Sequence, residues 1–194
     1  MKTKIFIDGR EGTTGLQIEE RLSCREDVEL LRIDEDKRKD AEERRKFLNA
    51  ADLVFLCLPD AAAKEAVSLV DNPKTRIIDA STAHRVAPGW VYGFPELEKG
   101  QREKIAAAGR VANPGCYATG FLALAKPLVA GGFLSPESLV SVHALSGYTG
   151  AGKKAIAQYG APDRDPELDS PRLYGLGLSH KHLPEMAAYA GLNH

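Results

Sequence analysis

The sequence predicts an α/β protein built on a doubly wound, mostly parallel sheet, and three observations carry that prediction. Short apolar runs alternate with helical patterns through residues 4–80. One of the runs, 52–58 (DLVFLCL), is apolar on both faces, as a strand covered by helices on each side must be. A glycine-rich turn, Gly9 to Gly15, directly follows the first run. Together these give a βαβαβαβ rhythm whose strands can be parallel only if each returns through a helix.

In chain order, 4–7 (KIFI) predicts a strand and 13–22 a helix, then 28–33 (VELLRI) a strand and 36–48 a charged helix. After the doubly apolar strand 52–58, residues 60–70 place Ala62, Ala66, Leu69 and Val70 on one helical stripe. A fourth strand is expected over 75–80 (TRIIDA). Beyond Ala83 the pattern changes. Residues 84–100, rich in Gly, Pro and aromatics, predict a loop, 101–108 a short polar helix, and 110–112 a brief strand. Asn113-Pro114-Gly115 stops that strand. A helix from Tyr117 is expected to bury Phe121, Leu124, Ala125, Leu128 and Val129. Residues 139–145 predict a strand, 146–152 a second glycine-rich loop, and 181–190 a closing helix with Pro184 and Glu185 in its first turn.

With 194 residues, 43% hydrophobic, 27% charged and a formal net charge of −1, the chain has the composition of a globular protein of one or two domains. A near-zero charge supplies no electrostatic footprint for nucleic acid or an anionic membrane surface. No apolar run approaches the ~20 residues that span a bilayer, so the expected setting is cytoplasmic and the expected partner a small-molecule substrate. Three scattered cysteines, Cys24, Cys57 and Cys116, form neither a disulfide framework nor a zinc-ligand pair, and no metal site is expected.

The turn after the first strand reads GxxGxxG rather than GxGxxG. Glycine there lets phosphate approach the backbone, and the amides opening the next helix face it. Gly9, Gly12, Thr13, Thr14 and Gly15 are the expected nucleotide-binding residues of a Rossmann-like domain. At the end of the second strand, Asp34 suits a ribose 2′-hydroxyl, whereas Arg32, Lys37 and Arg38 suit a 2′-phosphate; both cofactor types stay open on residues alone. The rest of 37–46, with Glu42, Glu43 and Arg45 alternating in sign, reads as a solvated helix face. Of the cysteines, Cys24 ends a helix and Cys57 lies in an apolar strand, where a thiol acts as a small hydrophobe. Cys116 differs. It follows a Pro-Gly stop and opens a long helix, where dipole and free amides stabilise a thiolate and an oxyanion on an attacked carbonyl. A thiol so placed on a nucleotide-binding fold points to covalent catalysis with hydride transfer.

The order of GxxGxxG, Asp79-Ala80-Ser81, Tyr92-Gly93-Phe94-Pro95-Glu96, Asn113-Pro114-Gly115-Cys116-Tyr117, the loop from Ser146 to Lys153, and His180-Lys181-His182-Leu183-Pro184-Glu185 resembles the N-acetyl-γ-glutamyl-phosphate reductases, short subtype. The resemblance implies a dinucleotide-binding domain over 1–115 followed by an α+β catalytic and oligomerisation domain over 116–194, as in aspartate-semialdehyde dehydrogenase. It implies NADP(H) as cofactor, a homo-oligomer, and reduction of an acyl phosphate to an aldehyde within arginine biosynthesis. Cys116 would then form a thioester, His180 or His182 would be the acid/base, and Glu185 would orient one of them. Ser81, Arg85, Asn113 and Lys153 (or Lys154) would sit near the substrate, and Ser146 and Gly147 near the cofactor.

Two departures accompany the resemblance. Ala118 stands where proline is expected. The chain also ends soon after the histidine segment, so the second domain is expected to be truncated and its sheet to lack partners. Two other readings remain open: the same chemistry on aspartyl phosphate, and a non-catalytic NADP-binding module.

Overall fold

The computed structural model describes residues 2–10 and 13–193, apart from the side chains of Thr13 and Leu16. Gly12, expected at the nucleotide, therefore lies outside the described residues.

A six-stranded sheet forms the centre, in the order β2-β1-β3-β4-β6-β5. Its strands are β1 (Thr3–Asp8), β2 (Val28–Leu31), β3 (Leu53–Leu56), β4 (Arg76–Asp79), β5 (Val91–Tyr92) and β6 (Arg110–Ala112), and every pairing is parallel. Parallel neighbours require crossovers. These are α1 (Thr13–Ser23), α2 (Ala41–Ala50), α3 (Asp60–Ser68) and α4 (Gln101–Ala107). The chain runs from β1 outward to β2, then returns across β1 to β3 and onward to β4. That reversal makes the β1–β3 boundary the point where a crevice opens at the carboxyl ends of the strands.

The core follows the strand period. Phe6, Val54, Leu56 and Ile77 project from one sheet face onto Leu48 of α2 and Ala63 and Ala66 of α3, all essentially without solvent contact. Complete burial of each large apolar side chain contributes about 1.5–3 kcal/mol. Helix α2 begins later than the charge pattern predicts. Residues 36–39 form a turn, and Asp40 caps the helix by accepting from the Glu43 amide at 2.9 Å.

The 84–100 stretch is not all loop. Val91 and Tyr92 pair with Val111 and Ala112, which makes β5 the sheet edge. The helix after β6 is α5 (Cys116–Ala130), and its buried positions are Ala118, Leu122 and Ala125. Leu124 and Leu128, expected in the core stripe, are 72% and 46% exposed. The stripe was misphased because α5 packs on α7 (Leu183–Ala190) and β5 through Leu122, Ala125, Ala190 and Tyr92, a narrow seam that needs small residues. Residues 139–145 form no strand. A strand exists only where a neighbour takes its backbone N–H and C=O groups, and no described strand lies beside this segment, whose Leu139 and Leu145 are 88% and 91% exposed. Two 3₁₀ turns, Tyr148–Ala151 and Pro166–Asp169, and helix α6 (Lys153–Gly160) complete the described elements. No described helix is long and apolar enough to cross a membrane.

Candidate active site

Because all strands run one way, β1, β3, β4, β5 and β6 end on the same edge of the sheet, and two features gather there. The first is a cleft of about 350 Å³ at the β1–β3 boundary, lined among others by Asp8, Gly9, Arg10, Ile33, Glu35, Arg38, Lys39, Arg44 and Leu58. Gly9 has φ +85°, and a Cβ there would stand 2.4 Å from the Cys57 carbonyl oxygen. Only glycine brings the chain past β3 this closely. A Cβ on Gly15 would likewise strike the Arg10 backbone at 2.5 Å. A tight turn opening a helix, with basic side chains around it, fits the phosphates of a dinucleotide. Arg38 lines the cleft together with Lys39; Lys37 instead faces Asp34 at 3.8 Å and is absent from the lining. The 36–39 turn causes this exchange of neighbours. Thr14 is exposed at the start of α1.

The second feature is built around Cys116, where β6 ends. Gly115 is the N-cap of α5, and Cys116 is its first residue and exposed. Behind them lies Glu185 of α7, 1% exposed. Its carboxylate accepts from the Arg85 Nη1 at 2.6 Å, the Tyr92 hydroxyl at 2.5 Å and the Gly115 amide at 3.0 Å. One buried carboxylate thereby ties the Cys116 turn to β5, to the loop after β4, and to α7. Tyr189 reinforces it by stacking on Tyr92 and donating its hydroxyl to the Arg85 carbonyl at 2.6 Å. Burial and the Glu185 carboxylate push the Tyr92 hydroxyl well above the ordinary phenol range.

His182 lies against the same turn. A Cβ on Gly115 would meet its Nε2 and Cε1 at 2.5 Å and the Arg85 Nη1 at 2.6 Å. The ring is 4% exposed, and its Nδ1 is buried without a hydrogen-bond partner. Burial first, and then the Arg85 charge, push its pKa down to about 4, so the imidazole is neutral at physiological pH. His180 sits farther out. Its Nε2 meets the Tyr174 hydroxyl at 2.8 Å, its Nδ1 takes the His182 amide at 3.1 Å, and its ring meets the edge of Tyr117. Both histidines thus border the Cys116 turn, and the ring of His182 is the one that stands where a side chain on Gly115 would go. Glu185 makes none of its hydrogen bonds to either histidine; it orients the turn rather than a ring.

The remaining expected site residues divide. Arg85 is buried, and three of its donors are engaged by Glu185, the Asn113 carbonyl at 2.9 Å and the Ala80 carbonyl at 3.3 Å. It therefore presents no open fork. Ser81 turns inward, donating to Asp79 at 2.6 Å. Asn113 is exposed beside Cys116, its amide nitrogen donating to the Pro114 carbonyl at 3.2 Å. Ser146 and Gly147 bond only locally, Lys153 is exposed at the start of α6, and Tyr148 stacks on Tyr159, which accepts from Arg164 and Arg172 farther along the chain. No described hydrogen bond or ring contact joins them to Cys116.

Three residues escaped the sequence reading: Arg44, Tyr92 and His84. Arg44 is buried in the run taken for a solvated face, paired with Asp8 at 2.9 Å. The Nδ1 of His84 lies 2.6 Å from Asp79, and its ring stacks on Trp90. Tyr92 sits inside the 92–96 motif and Asp79, the partner of His84, inside 79–81, which was the available signal; Arg44 carried none. The other two cysteines have no such setting. Burial pushes Cys57 up to about 11, and Cys24 is exposed with only a weak contact to the Glu20 carbonyl.

Comparison with known proteins gives two family matches. Residues 7–108 match the semialdehyde dehydrogenase NAD binding domain, and 116–194 the semialdehyde dehydrogenase dimerisation domain. Among curated relatives, "N-acetyl-gamma-glutamyl-phosphate reductase 2" of Nostoc sp. is 54% identical over 98% of this chain and 61% of its own length. The reductase of Mesorhizobium japonicum is 53% identical over 100% of this chain and 62% of its own. The chain thus spans about three fifths of the curated relatives it matches. Among solved structures, aspartate semialdehyde dehydrogenase II from Vibrio cholerae superposes with a TM-score of 0.60 over 99% of this chain and 67% of that one, at 15% identity, which speaks to the fold alone.

Proposed function

The chain belongs to the semialdehyde dehydrogenase family, and from that premise we propose that it carries the thiol and nucleotide sites of an NADPH-dependent N-acetyl-γ-glutamyl-phosphate reductase. The reaction yields N-acetylglutamate 5-semialdehyde and phosphate, within arginine biosynthesis. The observation that carries this reading is Cys116 at a helix start, with a neutral imidazole against the preceding residue, on the sheet edge that also opens the Gly9 cleft.

His182 takes the Cys116 proton as Sγ attacks the acyl carbon. The carbon–oxygen bond to phosphate breaks, phosphate leaves with the electron pair, and a thioester remains on Cys116. A reduced nicotinamide, when bound, supplies the hydride that reduces the thioester. The first-turn amides of α5 have no helical acceptor and are the donors available to the oxyanion. As the sulfur departs, His182 returns its proton and the aldehyde is free. Glu185 is a positioning residue, holding the Gly115 amide and Arg85. The exposed Asn113 amide flanks the acyl phosphate, while Arg85, held by Glu185, braces the turn beneath it. Arg38 and Lys39 supply positive charge for a 2′-phosphate and favour NADP(H) over NAD. Residues 1–115 then form the nucleotide-binding part and 116–194 the catalytic and oligomerising part, in a cytoplasmic homo-oligomer. Support for oligomerisation comes from the dimerisation-domain match and from exposed Leu124, Leu128, Phe133 and Leu176.

The test runs the reaction backwards, following NADPH absorbance with N-acetylglutamate semialdehyde, phosphate and NADP. Phosphate-dependent turnover by the wild type, absent in Cys116→Ala, is the expected result. Turnover only with aspartate semialdehyde would replace the substrate. Cofactor binding without turnover would reduce the chain to a nucleotide-binding module.

A further inference from the structure

Asp8 ends β1 immediately before the Gly9 turn, is 6% exposed, and still lines the cleft. Its carboxylate is where an anionic ligand should find repulsion, because like charges a few ångströms apart in a partly enclosed cleft interact by kilocalories. Burial moreover pushes Asp8 above the ordinary carboxylate range, with Arg44 pulling in the opposite direction. Arg44 reaches it from α2, donating Nε at 3.2 Å and Nη2 at 2.9 Å to the same carboxylate oxygen. The remaining arm, Nη1, donates to Glu65 of α3 at 3.2 Å. One guanidinium thus stands between acidic groups from two elements, and it is itself 6% exposed. The lining holds four basic side chains (Arg10, Arg38, Lys39, Arg44) against three acidic ones (Asp8, Glu35, Glu65). Loss of Arg44 alone leaves the two signs equal and uncovers Asp8 next to Gly9.

We propose that Arg44 is a positioning residue for the dinucleotide, neutralising Asp8 next to Gly9 so that a diphosphate can settle at the carboxyl end of β1. The inference rests on the reading of this cleft as the nicotinamide-dinucleotide site. It differs from a strut role, in which Arg44 only braces α2 against β1. A strut is lost whatever the charge of Asp8, whereas a neutralising cation becomes dispensable once Asp8 carries no charge.

The experiment measures NADPH affinity by fluorescence titration of the whole chain as wild type, Arg44→Gln, Asp8→Asn and the double variant. Arg44→Gln is expected to weaken binding about ten-fold. Asp8→Asn alone should bind at least as tightly as wild type, and the double variant should return to within about three-fold of it. A double variant no better than Arg44→Gln, or an Asp8→Asn that loses as much as Arg44→Gln, overturns the proposal. Should Arg44→Gln fail to fold, Asp8→Asn alone decides: unchanged or tighter binding supports neutralisation, and weaker binding refutes it. A wild type that binds no NADPH overturns the reading of the cleft as well, which separates that failure from a failure of the Arg44 role.

Discussion

Glu185→Ala should destabilise this protein severely. The side chain is 1% exposed and accepts from Arg85, Tyr92 and the Gly115 amide. Its removal leaves a guanidinium that is only 7% exposed without its counter-charge, a change that costs about 3–5 kcal/mol for a buried pair. The Tyr92 hydroxyl and the Gly115 amide are orphaned too, at about 1–3 kcal/mol each when nothing replaces the acceptor. Water entering the vacated space recovers part of this, so the expected net loss is about 4–6 kcal/mol, a large fraction of the 5–15 kcal/mol that holds a typical domain together. The assay is urea unfolding followed by far-ultraviolet circular dichroism, compared at equal m. Tyr92→Phe removes one donor but leaves the carboxylate paired with Arg85, and should cost only about 1 kcal/mol. Because the two share a bond, the double variant should lose less than the sum of the singles. A loss below about 1 kcal/mol for Glu185→Ala would refute the idea that this carboxylate ties the Cys116 turn in place.

Three further outcomes follow from the same geometry. Gly115 has φ −73°, which alanine adopts freely, so Gly115→Ala should act only by pushing its Cβ into His182 and Arg85; kcat should fall at least about ten-fold while NADPH affinity stays unchanged. Gly9→Ala combines a left-handed φ with a Cβ 2.4 Å from the Cys57 carbonyl; it should destabilise the chain by about 2–4 kcal/mol in the same unfolding assay and weaken NADPH binding. His182 has a folded-state pKa of about 4 against an ordinary 6.5, so the unfolded chain takes up the extra proton between those values. Stability is therefore full above pH 6.5 and falls as pH drops toward 4, by about 2–3 kcal/mol, and His182→Gln should flatten that slope. The acid limb of kcat/KM should lie below pH 6 if His182 is the base; a limb at 6.5 or above excludes it.

The alternating apolar runs were enough to read the parallel sheet, because a strand covered on both faces must be apolar on both, and the Gly-rich turn marked its carboxyl edge. Cys116 was legible for the same kind of reason: a Pro-Gly stop before an apolar helix places one thiol at a helix start whatever surrounds it. Element boundaries were less legible. The charges of 36–48 suit a helix or a turn equally, and the Asp40 cap decided that Arg38 and Lys39, not Lys37, face the cleft.

The local chemistry of the chain thus determined which residues could be strand, turn or nucleophile. Tertiary structure decided who meets whom. Arg44 looks like any charge on a solvated helix until α2 folds over β1 and buries it on Asp8. Glu185 is separated from Arg85 by 100 positions, and only the docking of α7 beside β5 and α5 brings that carboxylate under Gly115. The difference between His180 and His182 has the same origin: two residues apart in sequence, they differ because packing desolvates one ring against the Cys116 turn and leaves the other at the rim, and desolvation is a property of neighbours that spacing along a chain does not encode.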